Sequence, residues 1–271
     1  MARKTLTQTP LPKTQRVETL AKIVDEAAKQ ATAIGQLSGA HKDISLLEAY
    51  DIQRASIGRR AERGDRVVGM KMGLTSRAKM EQVGVHSPIY GHLTQTMLLN
   101  DGDAIDMSAH IHPRAEPEIA FILGRDLAGP VTSAQAMLAV QGVCAALEII
   151  DSRYKDFKFD LCDVVADNAS SSGFVLGSMI VPPDRIDLSN VGMVMEINGA
   201  CKQIGSSAAI LEHPANALAQ LANMLAERGE QLYAGQIVLA GSATAAEYVQ
   251  PGDVVRLRTD GLGTVTLRVR A

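Results

Sequence analysis

Apolar residues recur at helical spacing through Val17, Leu20, Ala21, Val24, Ala28 and Ala31, which predicts a first helix stopping near Gly35. The dozen residues before it are Thr-rich and carry two Pro, and read as an arm or a partner-contacting tail. A second helix is expected from Ser45. Ser45 and Glu48 have capping-box spacing, and Leu46, Ala49, Tyr50 and Ile57 supply an apolar face. The pattern changes near Arg66, where short apolar runs begin to alternate with Gly, Asn, Asp and Pro. Strands are expected over 67–72, 116–123, 142–149, 174–176, 193–197, 237–240, 254–257 and 264–269. Asn198-Gly199 marks a hairpin, because both residues tolerate positive φ. Two helices interrupt the strands. One starts near Thr132, with Gln135 at capping-box spacing. The other runs from Pro214 to about residue 228, with Leu218, Leu221, Ala222 and Leu225 inward and Gly229 as its stop. The order is α+β rather than a βαβ repeat. Two units are expected: an arm and helical lead-in over 1–65, and an α+β domain over 66–271.

Composition narrows the possibilities. Aromatic residues are 3% and Trp is absent, so the core must be built from Val, Ile, Leu, Ala and Met. A net charge of -3 offers no basic excess for a phosphate backbone, so no nucleic-acid partner is expected. No apolar run is long enough for a membrane span, and no apolar segment follows the basic N-terminus as in a signal peptide. Cys144, Cys162 and Cys201 are widely spaced and form no Cys-x-x-Cys. A disulfide framework is not expected, a reducing cytoplasmic setting is, and each Cys is expected to be a small buried hydrophobe.

The chemistry concentrates in residues 112–123. On a strand, residues two apart share a face, so Glu116 and Glu118 project together while Ile119, Phe121 and Leu123 point into a core. Pro117 cannot donate to a ladder, which places it at an edge or a bulge. Two carboxylates on one face repel unless a cation sits between them, and Mg²⁺ or Mn²⁺ takes such oxygen ligands. Glu148, inside an apolar run, is a third candidate ligand. The alternative is that all three are solvent-facing or salt-bridged. Lys71 lies in a Gly-flanked apolar run and is either an inward ammonium or an exposed edge residue. His110 and His112 lack a third His for a zinc site, so a capping or supporting role is expected. Residues 167–173 form a polar tract that is either an ordinary turn or a set of donors for a carboxylate.

These stretches resemble the hydratase/decarboxylase branch of the fumarylacetoacetate hydrolase superfamily. The resemblance rests on residues 69–76, 113–121, 147–153 and 166–171, and more weakly on 213–217 and 239–242. It implies a mixed, strongly curved, barrel-like β-sheet core. It also implies Mg²⁺ or Mn²⁺ held by Glu116, Glu118 and Glu148, with Lys71 as the active-site lysine and Ser170 and Ser242 in the loops lining the pocket. The activity implied is metal-dependent decarboxylation of a small unsaturated 2-oxo dicarboxylic acid. Hydration of a 2-hydroxydienoate is the alternative, and a scaffolding role for a partner hydratase is the second alternative. Branch hydratases often carry an acid where this chain has Ile89, and a Phe-Thr-Arg-Pro run where it has residues 243–246. Both departures favour decarboxylation. A complex with a hydratase, and self-association, are the expected partnerships.

Overall fold

The computed structural model describes residues 13–76, 80 and 87–271. The expected N-terminal arm lies outside them. Helix α1 (Lys13–Lys29) buries Leu20, Ala21 and Val24. It ends before Gly35, and Ala31 takes the positive φ of 47° that turns the chain away. After the short α2 (Leu37–Ala40), α3 (Leu46–Glu62) begins at Ser45, whose hydroxyl accepts from Glu48 N at 3.2 Å. The reciprocal half of that box is not made. The Glu48 carboxylate is turned onto Arg16 at 2.7 and 2.6 Å, which ties α1 to α3.

The chain continues through β1 (Val67–Gly73), β2 (Ile89–Thr94), β3 (Leu98–Leu99), β4 (Ala104–Asp106) and β5 (Arg114–Leu123). Helix α4 (Ser133–Met137), with its Thr132–Gln135 box complete, leads to β6 (Val140–Ile150). Then come α5 (Leu161–Ala166), β7 (Ser171–Leu176), the hairpin β8 (Gly192–Ile197) and β9 (Ala200–Ser206), and α6 (Pro214–Ala226). The chain closes with β10 (Ile237–Ser242), β11 (Glu247–Tyr248), β12 (Val254–Thr259) and β13 (Gly263–Arg270). The class is α+β. A mixed, curved sheet runs β2-β1-β10-β5-β6-β7-β3, with β11 on β5, and a smaller sheet runs β4-β13-β12-β8-β9.

Alternation sorts the two faces of the large sheet. Ile119, Phe121 and Leu123 of β5 join Val143, Ala145, Leu147 and Ile149 of β6 in the main core. That core also takes in the helical lead-in and the inner face of the small sheet. The opposite face carries Glu116, Glu118 and Glu148, and beyond them a small apolar cluster of Ala120, Cys144, Ala146, Phe174 and Leu239. Pro117 lies inside the sheet, and β10 slips register between Leu239 and Ser242 alongside it. The bulge, not an edge, accommodates its missing N–H. Cys144 is buried as expected and Cys162 is half-buried. Cys201 departs from expectation: the hairpin places it on the outer strand β9, where it is exposed.

Gln53 of α3 locks β2 to α5. Its Nε2 donates to Tyr90 O at 3.0 Å and Val165 O at 2.7 Å, leaving Oε1 to accept from His92 Nδ1 at 3.1 Å. Burial, then the charges of Arg54 and Arg228, push His92 down from 6.5 to about 4. The folded chain therefore binds fewer protons than the unfolded chain between those values, and stability falls as pH drops through that window. Thermal melts from pH 6.5 to pH 4 are expected to show a falling Tm in the wild type. His92→Gln should flatten that acid limb, and an unchanged limb would remove His92 as its source.

Candidate active site

Glu116 and Glu148 are direct partners across the antiparallel β5–β6 ladder, and Glu118 lies two residues along the same face. Oxygen atoms of all three lie within 4.8 Å of one another. Glu118 and Glu148 are fully buried and Glu116 is 7% exposed, which rules out the solvent-facing alternative. Burial, and then the charge of Glu148, raise the Glu118 carboxyl well above its ordinary value. Burial also raises Glu148, against the pull of Lys71.

Lys71 is inward and 3% exposed. It reaches the carboxylates because β10 alone separates β1 from β5. Its Nζ lies 2.9 Å from Glu148 Oε2 and donates to Ala169 O at 3.3 Å. Burial works against the ammonium, but Glu148, Glu118 and Glu116 together raise its pKa, so it stays charged. Glu148 Oε1 accepts from Ser171 Oγ at 2.9 Å. Glu118 Oε2 accepts from Gly241 N at 2.8 Å, while its Oε1 is buried with no hydrogen-bond partner. That N–H is aimed by the bulge: Gly241 has a φ of +103°, and a Cβ there would fall 2.2 Å from Thr75 Oγ1.

Three carboxylates and one ammonium carry two surplus negative charges if all are ionised. A single divalent cation would cancel them and would give Glu118 Oε1 the partner it lacks. The donor set is all oxygen, which fits Mg²⁺ or Mn²⁺.

The polar tract after α5 is not an ordinary turn. Asn168, Ala169 and Ser170 take φ values of 52°, 50° and 59° in succession, a left-handed run without glycine. The run is held from both sides. Arg153 pairs with Asp167 in the interior and also donates to the carbonyls of Asp151, Asp167 and Ser171. Asn168 exchanges hydrogen bonds with the His92 backbone at 2.7 and 2.9 Å. This backbone presents Ala169 O to Lys71.

A cleft of about 370 Å³ opens over the carboxylates. Lys71, Glu116 and Ser170 line it, and the buried Ser170 Oγ has no partner. Its walls include Ile89, Phe157 and Phe159. Arg114, two residues before Glu116, also lines it, with its guanidinium 4.0 Å from the Phe157 ring and 3.9 Å from the Tyr248 ring. Ser242 is placed differently from the other expected site residues. It sits opposite Glu118, but its hydroxyl donates to Thr244 O at 2.7 Å inside its own turn and does not line the cleft. His110 Nδ1 lies 2.8 Å from Asp106 O, a capping position. Arg114 and the Gly241 N–H are site groups that the sequence did not single out, and Ser171 and Ala169 O enter the sequence reading only as part of the polar tract 167–173. For Ser171 strand parity gives no signal: it lies three residues from Phe174, which faces Glu148, and a register slip between Gly173 and Ser171 lets it reach the same face.

Comparison with known proteins gives the family. The chain is 49% identical over 251 residues to a 4-oxalocrotonate decarboxylase of Pseudomonas sp, covering 93% of this chain and 97% of that one. It is 44% identical over 206 residues to a 2-hydroxypent-2,4-dienoate hydratase of Pseudomonas putida, covering 75% of this chain and 93% of the relative. The solved 4-oxalocrotonate decarboxylase from Pseudomonas putida G7, complexed with magnesium and adipate, superposes with a TM-score of 0.93 at 41% identity, covering 97% of this chain and all of that one. The profile of the fumarylacetoacetate (FAA) hydrolase C-terminal family matches residues 65–270. The chain therefore belongs to the fumarylacetoacetate hydrolase family.

Proposed function

We propose that this protein is a Mg²⁺-dependent carboxy-lyase that converts 2-oxohex-3-enedioate (4-oxalocrotonate) to 2-hydroxypenta-2,4-dienoate and CO2 in aromatic catabolism. One observation carries the reading. The acidic cluster and Lys71 lie at a cleft whose remaining lining, among the described residues, offers Arg114 and Ser170 but no further carboxylate and no His. Water addition needs a group to activate water. Where branch hydratases often carry an acid, this cleft has Ile89. The relatives named above as decarboxylases, one of them solved with a six-carbon diacid, support the same choice.

In this reading Glu116, Glu118 and Glu148 hold Mg²⁺, which when bound supplies a Lewis acid to the 2-oxo acid end of the substrate. The protein does the rest. Lys71 keeps its proton and places positive charge beside the C2 oxygen, where negative charge develops. The electrons of the C5–C6 bond move to C4–C5, the C3–C4 double bond shifts to C2–C3, and the C2 oxygen takes the charge and then a proton. C6 leaves as CO2. Phe157, Phe159 and Ile89 keep that end of the cleft apolar, which favours conversion of a carboxylate to a neutral gas. Ser170 Oγ is a free donor for the substrate. Ser242 acts on the site only through the turn that carries Gly241.

The deciding experiment supplies 2-oxohex-3-enedioate and 2-hydroxypenta-2,4-dienoate separately, with Mg²⁺ and with chelator. CO2 release from the first, lost on chelation, is expected. Water addition to the second without CO2 release from the first would make the protein a hydratase, the reading that the 44%-identical hydratase relative favours. The dienol product is unstable, so direct transfer to a hydratase bound alongside is part of the proposal, in the cytoplasm. Among the described residues no helix is long and apolar enough to cross a membrane. Co-elution of the two enzymes at micromolar concentration tests the pairing. The division at residue 65 is likewise proposed as a lead-in joined to a catalytic unit.

A further inference from the structure

A second cleft, of about 440 Å³, opens against the C-terminal turns of α1 and α3. Ser171 and Ser172 are neighbours on β7, where the strand slips register against β6. Ser171 donates to Glu148, and Ser172 lines the second cleft.

The acidic side chains lining this cleft already have partners. Asp25 accepts from Arg59 at 3.0 Å and from Arg63 at 2.8 and 2.6 Å. Asp65 accepts from Thr96 N at 2.9 Å and its hydroxyl at 2.8 Å. Asp151 accepts from the N–H groups of Ile111 and His112, each at 2.8 Å. The donors are left over. Among the described residues, the side chains of Arg60, Lys29 and Ser172 line the cleft with no hydrogen-bond partner. Arg153 also lines it, and its four side-chain hydrogen bonds leave one of a guanidinium's five N–H groups free. Helix C-termini attract basic side chains, and that accounts for Arg59 and Arg63, which serve Asp25. It does not account for Arg60. Burial, then the like charge of Arg153, act against the Arg60 guanidinium, and the charges of Asp25, Asp65 and Asp167 offset them only in part.

We propose that this cleft is a binding site for a small oxyanion, a phosphate or a short dicarboxylate, held between Arg60 and Arg153 with Lys29 and Ser172 as further donors. The site is an effector site. Arg153 holds Asp167 and the carbonyl of Ser171, the two ends of the left-handed run that presents Ala169 O to Lys71 and Ser170 to the catalytic cleft. An anion between the two guanidinium groups removes their repulsion and braces that run.

The test needs neither substrate nor catalysis, so its outcome is independent of the proposed reaction. Protein kept in chelator is titrated with inorganic phosphate or with malonate, against chloride at matched ionic strength. Tm and amide exchange over residues 168–172 are followed. At least one probe at millimolar concentration should raise the wild-type Tm and slow that exchange. Arg60→Gln should weaken the apparent affinity tenfold or more, and Arg60→Lys should recover part of it. Because Arg60→Gln removes a repelled charge, its Tm in chloride should not fall. If it does not fold, a weakened response in Arg60→Lys decides the matter. Equal shifts in wild type and Arg60→Gln would mean general salt stabilisation and overturn the proposal. So would the absence of a response to both probes.

Discussion

Glu118→Gln is expected to lower Mg²⁺-dependent CO2 release by about a thousandfold while leaving the chelated protein at least as stable as wild type. The amide keeps the shape of the carboxylate, and its oxygen can still accept from Gly241 N. What it removes is one of the charges that the proposed cation would balance. In the chelated protein that charge is a burden, because burial and Glu148 both push the Glu118 carboxyl up. A carboxyl with a raised folded pKa destabilises the fold as pH climbs from its unfolded value through its folded one. The neutral amide escapes that cost. Steady-state CO2 release together with urea melts in chelator separates the two effects. Wild-type rates at saturating Mg²⁺ would remove Glu118 from the site. A large fall in stability would mean the carboxylate is structural.

Arg153→Met is expected to cost about 4 kcal/mol of stability, because it strands the buried Asp167 carboxylate. Methionine fills much of the volume and keeps the backbone N–H bond to Asp167 Oδ2, but it replaces none of the side-chain bonds to Asp167 or to the carbonyls of Asp151 and Ser171. Three left-handed residues then lose their anchor. The denaturant midpoint should fall with an unchanged slope, and kcat should fall with it even where the protein is folded. A loss under 1 kcal/mol would show that Asn168 and His92 hold the run without Arg153.

The parts of the fold legible in the sequence are those governed by side-chain period. Strand parity alone put Glu116 and Glu118 on one face and Phe121 in the core, and both placements hold. Capping chemistry located Ser45 and Thr132, although Glu48 found a better partner in Arg16 than its own helix start. Strand β2 was missed because Gly91 and His92 break its apolar run, yet it pairs along the whole of β1. Lys71 was ambiguous because its direction depends on β10, which joins β1 only in the folded sheet. The left-handed run was invisible: Asn168, Ala169 and Ser170 carry no glycine, and tertiary hydrogen bonds impose the conformation. Ser242 was placed by resemblance, and a local turn claims its hydroxyl.

Strand β10 lies between β1 and β5 although it comes near the end of the chain. The register pairs Lys71 with Leu239 and Glu118 with Ser242. Synthesis from the ribosome therefore exposes β1 and β5 for most of translation with the seat between them empty. Such long-range closure is slow, and it leaves unpaired strand edges open to other chains while it waits. A chain stopped short of residue 237 would own all three glutamates proposed as metal ligands and the lysine, yet it could not bring them together. Metal capture is thereby deferred until the polypeptide is all but complete.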